Sequence, residues 1–179
     1  MNILVTWFEP FGKNSVNPSM EVLAKLKNCD KVLLPVSYDR VSIIIDTKLE
    51  SNNYDYVILL GLAQGRKSIS CELVALNYMK ASIPDNDGVI YDGEFIDKNS
   101  ENALFTKLNI KKLVKDLNNI QIDTTLSSNA GTYVCNRIYY HTLNNLSKTI
   151  FIHLPTYDEL PLEKQITAIQ FVIDNINNY

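Results

Sequence analysis

Short apolar runs alternate with longer amphipathic segments along almost the whole of this 179-residue chain. The short runs predict buried strands, and the segments whose apolar residues recur at helical spacing predict helices. Alternation of strands and helices is typical of a mostly parallel sheet with helices on both faces. The sequence therefore predicts a three-layer α/β/α fold with a twisted, mostly parallel sheet, of the kind found in phosphorylases and hydrolases. We expect residues 1–179 to form a single domain.

Several residues mark where the predicted elements begin and end. Asn17 and Pro18 are typical of a helix N-cap followed by a first-turn proline, and Ser37 is a residue type that caps the next helix. Gly61 is expected to end the third strand, and the turn-rich segment 85–88 is expected at the surface. The predicted strands are 2–6, 31–36, 54–60, 124–127 and 149–153, and the predicted helices are 17–27, 37–50, 110–118, 135–145 and 162–176.

The composition argues against several classes of function. A net charge of −3 with scattered basic residues gives no electrostatic footprint for nucleic acid. The cysteines Cys29, Cys71 and Cys135 form no CxxC pair, and with only two histidines they predict no zinc cluster and no cofactor. The N-terminal apolar run is soon broken by Glu9 and Pro10, and no run is long enough to span a bilayer. We therefore expect a cytoplasmic protein with reduced thiols.

The predicted sheet selects two candidate functional residues. Ligands of such sheets bind beyond the carboxyl ends of the strands. Cys135 and His153 are the only Cys and His placed directly at a strand exit or a helix entrance, so we expect them to meet at one edge of the sheet. A Cys and a His that meet there are suited to nucleophilic catalysis, in which the imidazole accepts the thiol proton and later returns it to a leaving group.

Cys135 itself permits two interpretations. At the start of a helix the unpaired N–H groups favour a thiolate, which is the reactive form of cysteine. The alternative is a buried structural cysteine beside Ala130, Gly131 and Val134, because free cysteines are among the most buried residues.

A catalytic histidine also needs a group that orients its ring, and the sequence leaves this group open. A carboxylate that accepts a hydrogen bond from one ring nitrogen fixes the tautomer and the orientation. Glu9, Glu72, Asp85 and Asp158 are all candidates by residue type. Glu72 lies in an apolar stretch where unpaired burial would be costly, unless it points outward from a half-buried strand.

Five motifs in order resemble one family over essentially the whole chain. They read WFEPFGKNSVNPS at 7–19, GLAQGR with CELVALN at 61–77, ASIPDNDG at 81–88, AGTYVCN at 130–136 and FIHLP at 151–155. Their order and spacing are similar to those of pyroglutamyl peptidase I, also called pyrrolidone carboxyl peptidase, a family of cysteine peptidases. The resemblance implies a cysteine exopeptidase that removes N-terminal pyroglutamyl residues from peptides through a thioester acyl-enzyme. It also implies a homo-oligomer, a dimer or tetramer.

The resemblance further implies roles for individual residues. Cys135 matches the nucleophile, His153 the general acid and base, and Glu72 the acid that orients the histidine. The positions that match the walls of the pocket for the pyroglutamyl ring are Phe8, Phe11, Ile83, Tyr133 and Val134. Such a ring is neutral, flat and small, so its pocket needs apolar walls and a few polar groups but no countercharge.

Four positions depart from the family pattern. Ser82 stands where the family has Arg in ARIPDN, and if that Arg helps to hold charge or to position the loop, its absence costs activity. Trp7 replaces a Gly next to the expected pocket, where it would narrow the pocket, reshape it or pack on a neighbouring subunit. Lys13 and Leu73 replace a Gly and an Arg. These departures keep open an alternative function, a divergent member that binds a peptide terminus or small lactam with little or no turnover.

Two other features are interpreted conservatively. GLAQGR lacks the ending of a phosphate-binding loop, and its Arg66 is as compatible with a solvent-facing side chain. His141 follows Cys135 by six residues and is expected to point away from the thiol.

Enzymes of other classes with the same layers, such as nucleoside phosphorylases, remain possible on architecture alone, since a fold does not imply a function.

Overall fold

A computed structural model of the chain describes residues 1–11 and 19–179. The strands in these residues are β1 (Ile3–Phe8), β2 (Asp30–Leu34), β3 (Tyr56–Leu62), β4 (Ile69–Glu72), β5 (Val74–Leu76), β6 (Met79–Lys80), β7 (Asp92–Glu94), β8 (Ala103–Phe105), β9 (Thr124–Ser127) and β10 (Thr149–Leu154). The helices are α1 (Ser19–Lys25), α2 (Arg40–Ser51), α3 (Ile110–Asn119), α4 (Val134–Asn145) and α5 (Leu162–Asn175), and a short 3₁₀ helix covers Ile176–Asn178.

The central sheet contains six strands in the order β2-β1-β3-β10-β4-β9. The pairs β2–β1, β1–β3, β3–β10 and β4–β9 are parallel, and β10–β4 is antiparallel. The predicted mostly parallel sheet is thus confirmed, with β4 and β9 running against the other four strands. The connection from β3 to β4 is too short for the crossover that parallel strands require, and β4 runs back in the opposite direction on the far side of β10.

Each face of the sheet carries its own apolar core. On the first, which we call the α5 face, residues of α1, α3 and α5 pack together with Ile3 and Val5 of β1. On the second, the α4 face, residues of α2 and α4 pack with Leu4 and Phe8 of the same strand. Successive side chains of a strand point to opposite faces, so a strand covered on both sides is apolar at nearly every position. This explains why the short runs in the sequence are continuous rather than alternating.

The predicted ends of the elements differ from the observed ones at a few positions. Gly61 lies inside β3, which continues to Leu62, so the prediction that it ends the strand is wrong. The hydroxyl of Ser37 accepts a hydrogen bond from the Arg40 N–H at 3.2 Å, although the helix itself begins at Arg40. Asn17, Pro18 and Lys13 lie outside the described residues. In the part of the chain that the structure describes, no helix combines the length and the apolarity needed to cross a bilayer.

Candidate active site

A cavity of about 300 Å³ opens where β1, β3 and β10 end, on the side of the sheet that α4 covers. Cys135 and His153 both line it, and most of its remaining walls are apolar. A small apolar cavity with a few convergent polar groups is the usual form of a site for a small ligand. The lining residues are Phe8, Phe11, Val36, Leu62, Ala63, Arg66, Asn129, Ala130, Gly131, Tyr133, Val134, Cys135 and His153.

Glu72 and His153 form a buried pair at the wall of this cavity. The antiparallel pairing of β4 with β10 aligns Glu72 with Phe151, so that the Glu72 side chain lies beside His153. His153 Nδ1 lies 2.8 Å from Glu72 Oε1, and Glu72 has no exposed surface. Because a carboxylate only accepts hydrogen bonds, Nδ1 carries the proton and Nε2 is left as an acceptor. The geometry therefore selects Glu72 among the four acids that the sequence left open.

The charges of this pair follow from its burial. Burial raises the pKa of Glu72, but hydrogen bonding from His153 and Ser127, with a smaller contribution from the positive charge of Arg66, outweighs it, and the pKa lies below its ordinary value. Burial lowers the pKa of His153, and the carboxylate of Glu72 reverses this only in part. At neutral pH the site therefore holds an ionised carboxylate beside a neutral imidazole.

The three other candidate acids have different partners. Glu9 accepts hydrogen bonds from the Val36 N–H and the Asn86 side chain, and Asp85 accepts from backbone N–H groups of its own loop. Asp158 is exposed. These contacts tie down loops and do not orient His153.

Arg66 is a part of the site that the sequence reasoning missed. Its Nη1 lies 2.7 Å from Glu72 Oε1, and its Nη2 donates to the main-chain oxygen of Asn129 at 2.9 Å. A signal was present in the sequence, because a carboxylate in an apolar strand needs a partner and Arg66 precedes Glu72 by six residues. The side chain is thus not simply solvent-facing.

Cys135 is the second residue of α4 and lies against the middle of the sheet. A Cβ atom added to Gly61 would lie 3.2 Å from the Cys135 sulfur. Gly61 is aligned with His153 across the parallel pair β3–β10. The missing side chain at Gly61 therefore leaves the space next to His153 in which the sulfur lies.

Burial opposes the thiolate that the start of the helix was expected to favour at Cys135. Burial raises the pKa of the Cys135 thiol to about 12, the nearby Glu72 carboxylate acts in the same direction, and Arg66 lowers it only in part. Loss of hydration outweighs the helix N-terminus because the sulfur lies between the helix and the sheet. In the unliganded protein the site thus holds a neutral thiol and a neutral imidazole.

The route by which Cys135 reaches the cavity also differs from the expectation. We expected the segments after two strands to meet at their shared carboxyl edge. Because β9 runs against β10, the segment 128–135 leaves the sheet from the other edge. Packing of α4 on the sheet then brings Cys135 back over β3. Cys135 and His153 therefore line the same cavity, but Cys135 is placed there by the packing of α4 and not by the direction of β9.

Four of the five predicted wall residues line the cavity, and one does not. Phe8, Phe11, Tyr133 and Val134 are among its walls. The described residues that form the walls do not include Ile83, whose side chain lies on the surface at 51% exposure. Ile83 lies just before the turn-rich segment 85–88 and is exposed. The neighbouring Pro84 is linked to the cavity wall, because its carbonyl accepts a hydrogen bond from the Tyr133 hydroxyl at 2.9 Å.

The remaining singled-out residues lie away from the thiol. Trp7 packs on the core of the α5 face, opposite to Phe8, and Ser82 is exposed. His141 Nε2 lies 2.7 Å from Asp46 Oδ1 on the surface of α4, as its position in the helix predicted. Cys71 is part of the core on the α5 face.

The site gives a prediction for Gly61. Its backbone conformation is one that alanine also adopts, but a Cβ there would lie 2.8 Å from the Phe151 ring. We expect Gly61→Ala to lower the free energy of unfolding by about 1–3 kcal/mol, because the packed ring and sulfur must shift. Urea denaturation followed by fluorescence of the single Trp measures this. In a Phe151→Leu background the cost of Gly61→Ala should be smaller, and an equal cost in both backgrounds would contradict the steric explanation.

Comparisons with known proteins give consistent matches over nearly the whole chain. The family model described as pyroglutamyl peptidase matches residues 1–175. The pyrrolidone-carboxylate peptidase of Staphylococcus aureus strain JH9 is 36% identical, over 99% of this chain and 94% of the relative. The pyrrolidone carboxyl peptidase of Fervidobacterium islandicum AW-1 superposes with a TM-score of 0.92 at 31% identity, over 99% of each chain. The enzyme of Thermococcus litoralis gives 0.90 at 32% identity, over 99% of this chain and 95% of that one.

Proposed function

This chain belongs to the pyroglutamyl peptidase family and is a peptidase that removes N-terminal pyroglutamyl residues from peptides, and we propose that Cys135, His153 and Glu72 carry out the reaction. One observation carries this assignment: Cys135 and His153 line the same cavity, and Glu72 Oε1 lies 2.8 Å from His153 Nδ1. A nucleophile, a base and a group that orients the base form the arrangement that acyl transfer requires.

The charges of the site favour general-base activation of the thiol. His153 Nδ1–H donates its hydrogen bond to the Glu72 carboxylate. Nε2 is therefore free to accept the proton of the Cys135 thiol as the sulfur attacks. The attacked atom is the carbonyl carbon that joins the pyroglutamyl residue to the next amide. His153 then gives the proton to the leaving amine, and a thioester remains on Cys135. His153 then takes a proton from water, which attacks the thioester carbonyl, and gives this proton to the departing Cys135 sulfur, so that pyroglutamate is released and the thiol is restored.

The negative charge that develops on the attacked oxygen needs donors in place before the reaction. Main-chain N–H groups at the start of α4 point out of the helix beside Cys135 and are suited to this role. They need no particular side chain, and this is consistent with Ser82 standing where the family has Arg.

The walls of the cavity suit the pyroglutamyl ring. Phe8, Phe11, Tyr133 and Val134 provide apolar surface for a neutral, flat ring. Trp7, the large residue that we expected beside the pocket, packs on the opposite face of the sheet. Because neither Trp7 nor the exposed Ser82 lies in the cavity, these departures give no support to a family member that binds without turnover.

We also propose that the protein is a cytoplasmic homo-oligomer, a dimer or tetramer. Large apolar side chains at the surface, such as Phe95 and Phe105, are available for contacts between copies. Sedimentation of the purified chain would measure the number of subunits.

The activity is tested with chromogenic amides. We expect the pyroglutamyl amide of p-nitroaniline to release the coloured amine. The prolyl amide should react at least about 10²-fold more slowly, because it lacks the lactam carbonyl and brings a charged amine into an apolar pocket. Calorimetric binding of pyroglutamyl peptide without release of the amine would instead support the alternative function, a binder with little or no turnover.

A further inference from the structure

Arg66 connects two parts of the site that come from distant parts of the chain. It lies in the connection from β3 to β4, with its side chain 29% exposed at the wall of the cavity. One guanidinium nitrogen lies 2.7 Å from Glu72 Oε1, and another donates at 2.9 Å to the main-chain oxygen of Asn129. Glu72 orients His153, and Asn129 begins the loop that leads to Cys135.

The second contact acts on the geometry of the loop. The Asn129 carbonyl belongs to the planar peptide unit that also contains the Ala130 N–H, and these two groups point in opposite directions. Holding the carbonyl therefore fixes the direction of that N–H at the wall of the cavity. The next residues are held as well, because the Asn129 side chain accepts from the Gly131 N–H at 2.9 Å, and Gly131 has φ of 81°.

We propose that Arg66 is a positioning residue for the peptidase reaction. By binding both groups, it fixes the distance between the Glu72 carboxylate, which orients His153, and the main chain at Asn129, which leads to Cys135. The inference rests on the proposed function of Cys135, His153 and Glu72. Guanidinium is suited to this task because it is planar and its donors have fixed directions, whereas an ammonium group is a compact charge on a flexible stem.

A second effect of Arg66 is electrostatic, and it is separable from the first. Among the residues that the structure describes, Glu72 from β4 and Arg66 from the β3–β4 connection are the charged groups that act on His153, and Cys135 from α4 lines the same cavity. Tyr139 of α4 donates to the Glu72 main-chain oxygen. The positive charge of Arg66 lowers the pKa of both His153 and Cys135. Without it, His153 becomes protonated at higher pH and Cys135 forms a thiolate less readily.

The two effects predict different results for two substitutions. Arg66→Gln removes both the charge and the paired donors. We expect kcat to fall by about 10²-fold, as expected for misplaced reacting groups, and the acidic limb of the kcat/KM profile to move to higher pH. Arg66→Lys keeps the positive charge but loses the planar pair of N–H donors. We expect its acidic limb to stay near that of the parent while kcat falls by about tenfold or more.

The experiment measures kcat and KM across pH for the parent chain, both variants and a control. Lys112→Gln is the control, because it removes a surface ion pair of α3 with Asp116 and should leave both constants unchanged. Thermal unfolding of each variant reports whether it is folded at the assay temperature. The rate at which iodoacetamide alkylates Cys135, read by mass spectrometry of the peptide that contains it, provides a measurement that needs no substrate.

Two results would overturn the proposal. A kcat of Arg66→Gln within about threefold of the parent value would show that positioning by Arg66 contributes little. A full parental kcat in Arg66→Lys would show that only the charge acts. If the parent chain released no amine from the pyroglutamyl substrate, the proposed function would fail, and alkylation of Cys135 would still test Arg66. We expect alkylation in Arg66→Gln to be several-fold slower at pH 8–9, and an unchanged rate would count against a role for Arg66.

Discussion

Replacing Cys135 by alanine is expected to lower kcat for the pyroglutamyl amide by about 10⁵- to 10⁶-fold, the loss typical when a catalytic nucleophile is removed. Without sulfur no thioester forms, and His153 has no thiol proton to accept. The fold should survive, because the substitution removes a single atom from a side chain that is only partly buried. Release of p-nitroaniline by the purified variant, compared with the parent chain, measures the loss.

Cys29→Ala is the matched control for this substitution. Cys29 is also a partly buried free thiol, but it lies beside the start of β2, away from the cavity. We expect its activity to equal that of the parent chain and its inactivation by iodoacetamide to be unchanged. More than about 1% of the parental kcat in a folded Cys135→Ala variant would rule out Cys135 as the nucleophile, since such a small loss is far from that of a removed nucleophile.

Glu72→Gln is expected to lower kcat by about 10³- to 10⁴-fold, as amide replacement of the acid in a catalytic triad does. Glu72 Oε1 accepts from both His153 Nδ1 and Arg66 Nη1. A glutamine whose oxygen takes the place of Oε1 keeps both hydrogen bonds, but it carries no negative charge. The imidazolium that forms when His153 accepts the thiol proton is then no longer stabilised by a carboxylate. Binding of substrate involves other residues, so KM should change much less than kcat.

Glu163→Gln is the control for loss of a carboxylate. Glu163 forms an exposed ion pair with Lys25 on the opposite face of the sheet, and surface pairs of this kind contribute little to stability. We expect it to keep the parental kcat and unfolding behaviour. A Glu72→Gln variant that is folded and retains kcat within about tenfold of the parent would mean that the reaction of His153 does not depend on the charge of this carboxylate.

Much of the fold was predictable because it rests on local patterns. The predicted bounds of β9 match the observed Thr124–Ser127, and those of α3 differ from Ile110–Asn119 by one residue. Both follow from residues close together in the chain: α3 has an Asn109 cap that accepts from the Lys112 N–H. Gly61 was misjudged because glycine often ends strands, whereas here the space it leaves is filled by the Phe151 ring and the Cys135 sulfur from other elements.

The sequence by itself determined the layered α/β plan, the family and the residue types that the reaction needs, since periodicity and motif order are properties of neighbouring residues. Only the tertiary structure decided which acid faces His153, that Arg66 joins Glu72 to the loop before Cys135, and that Trp7 and Ile83 lie outside the cavity. It also decided that burial opposes ionisation of the Cys135 thiol. The reason is physical: burial and electrostatic potential at a side chain are sums over all elements packed around it. Those elements are distant in the chain, and their directions, such as the reversal of β4 and β9, are set by the packing of the whole sheet.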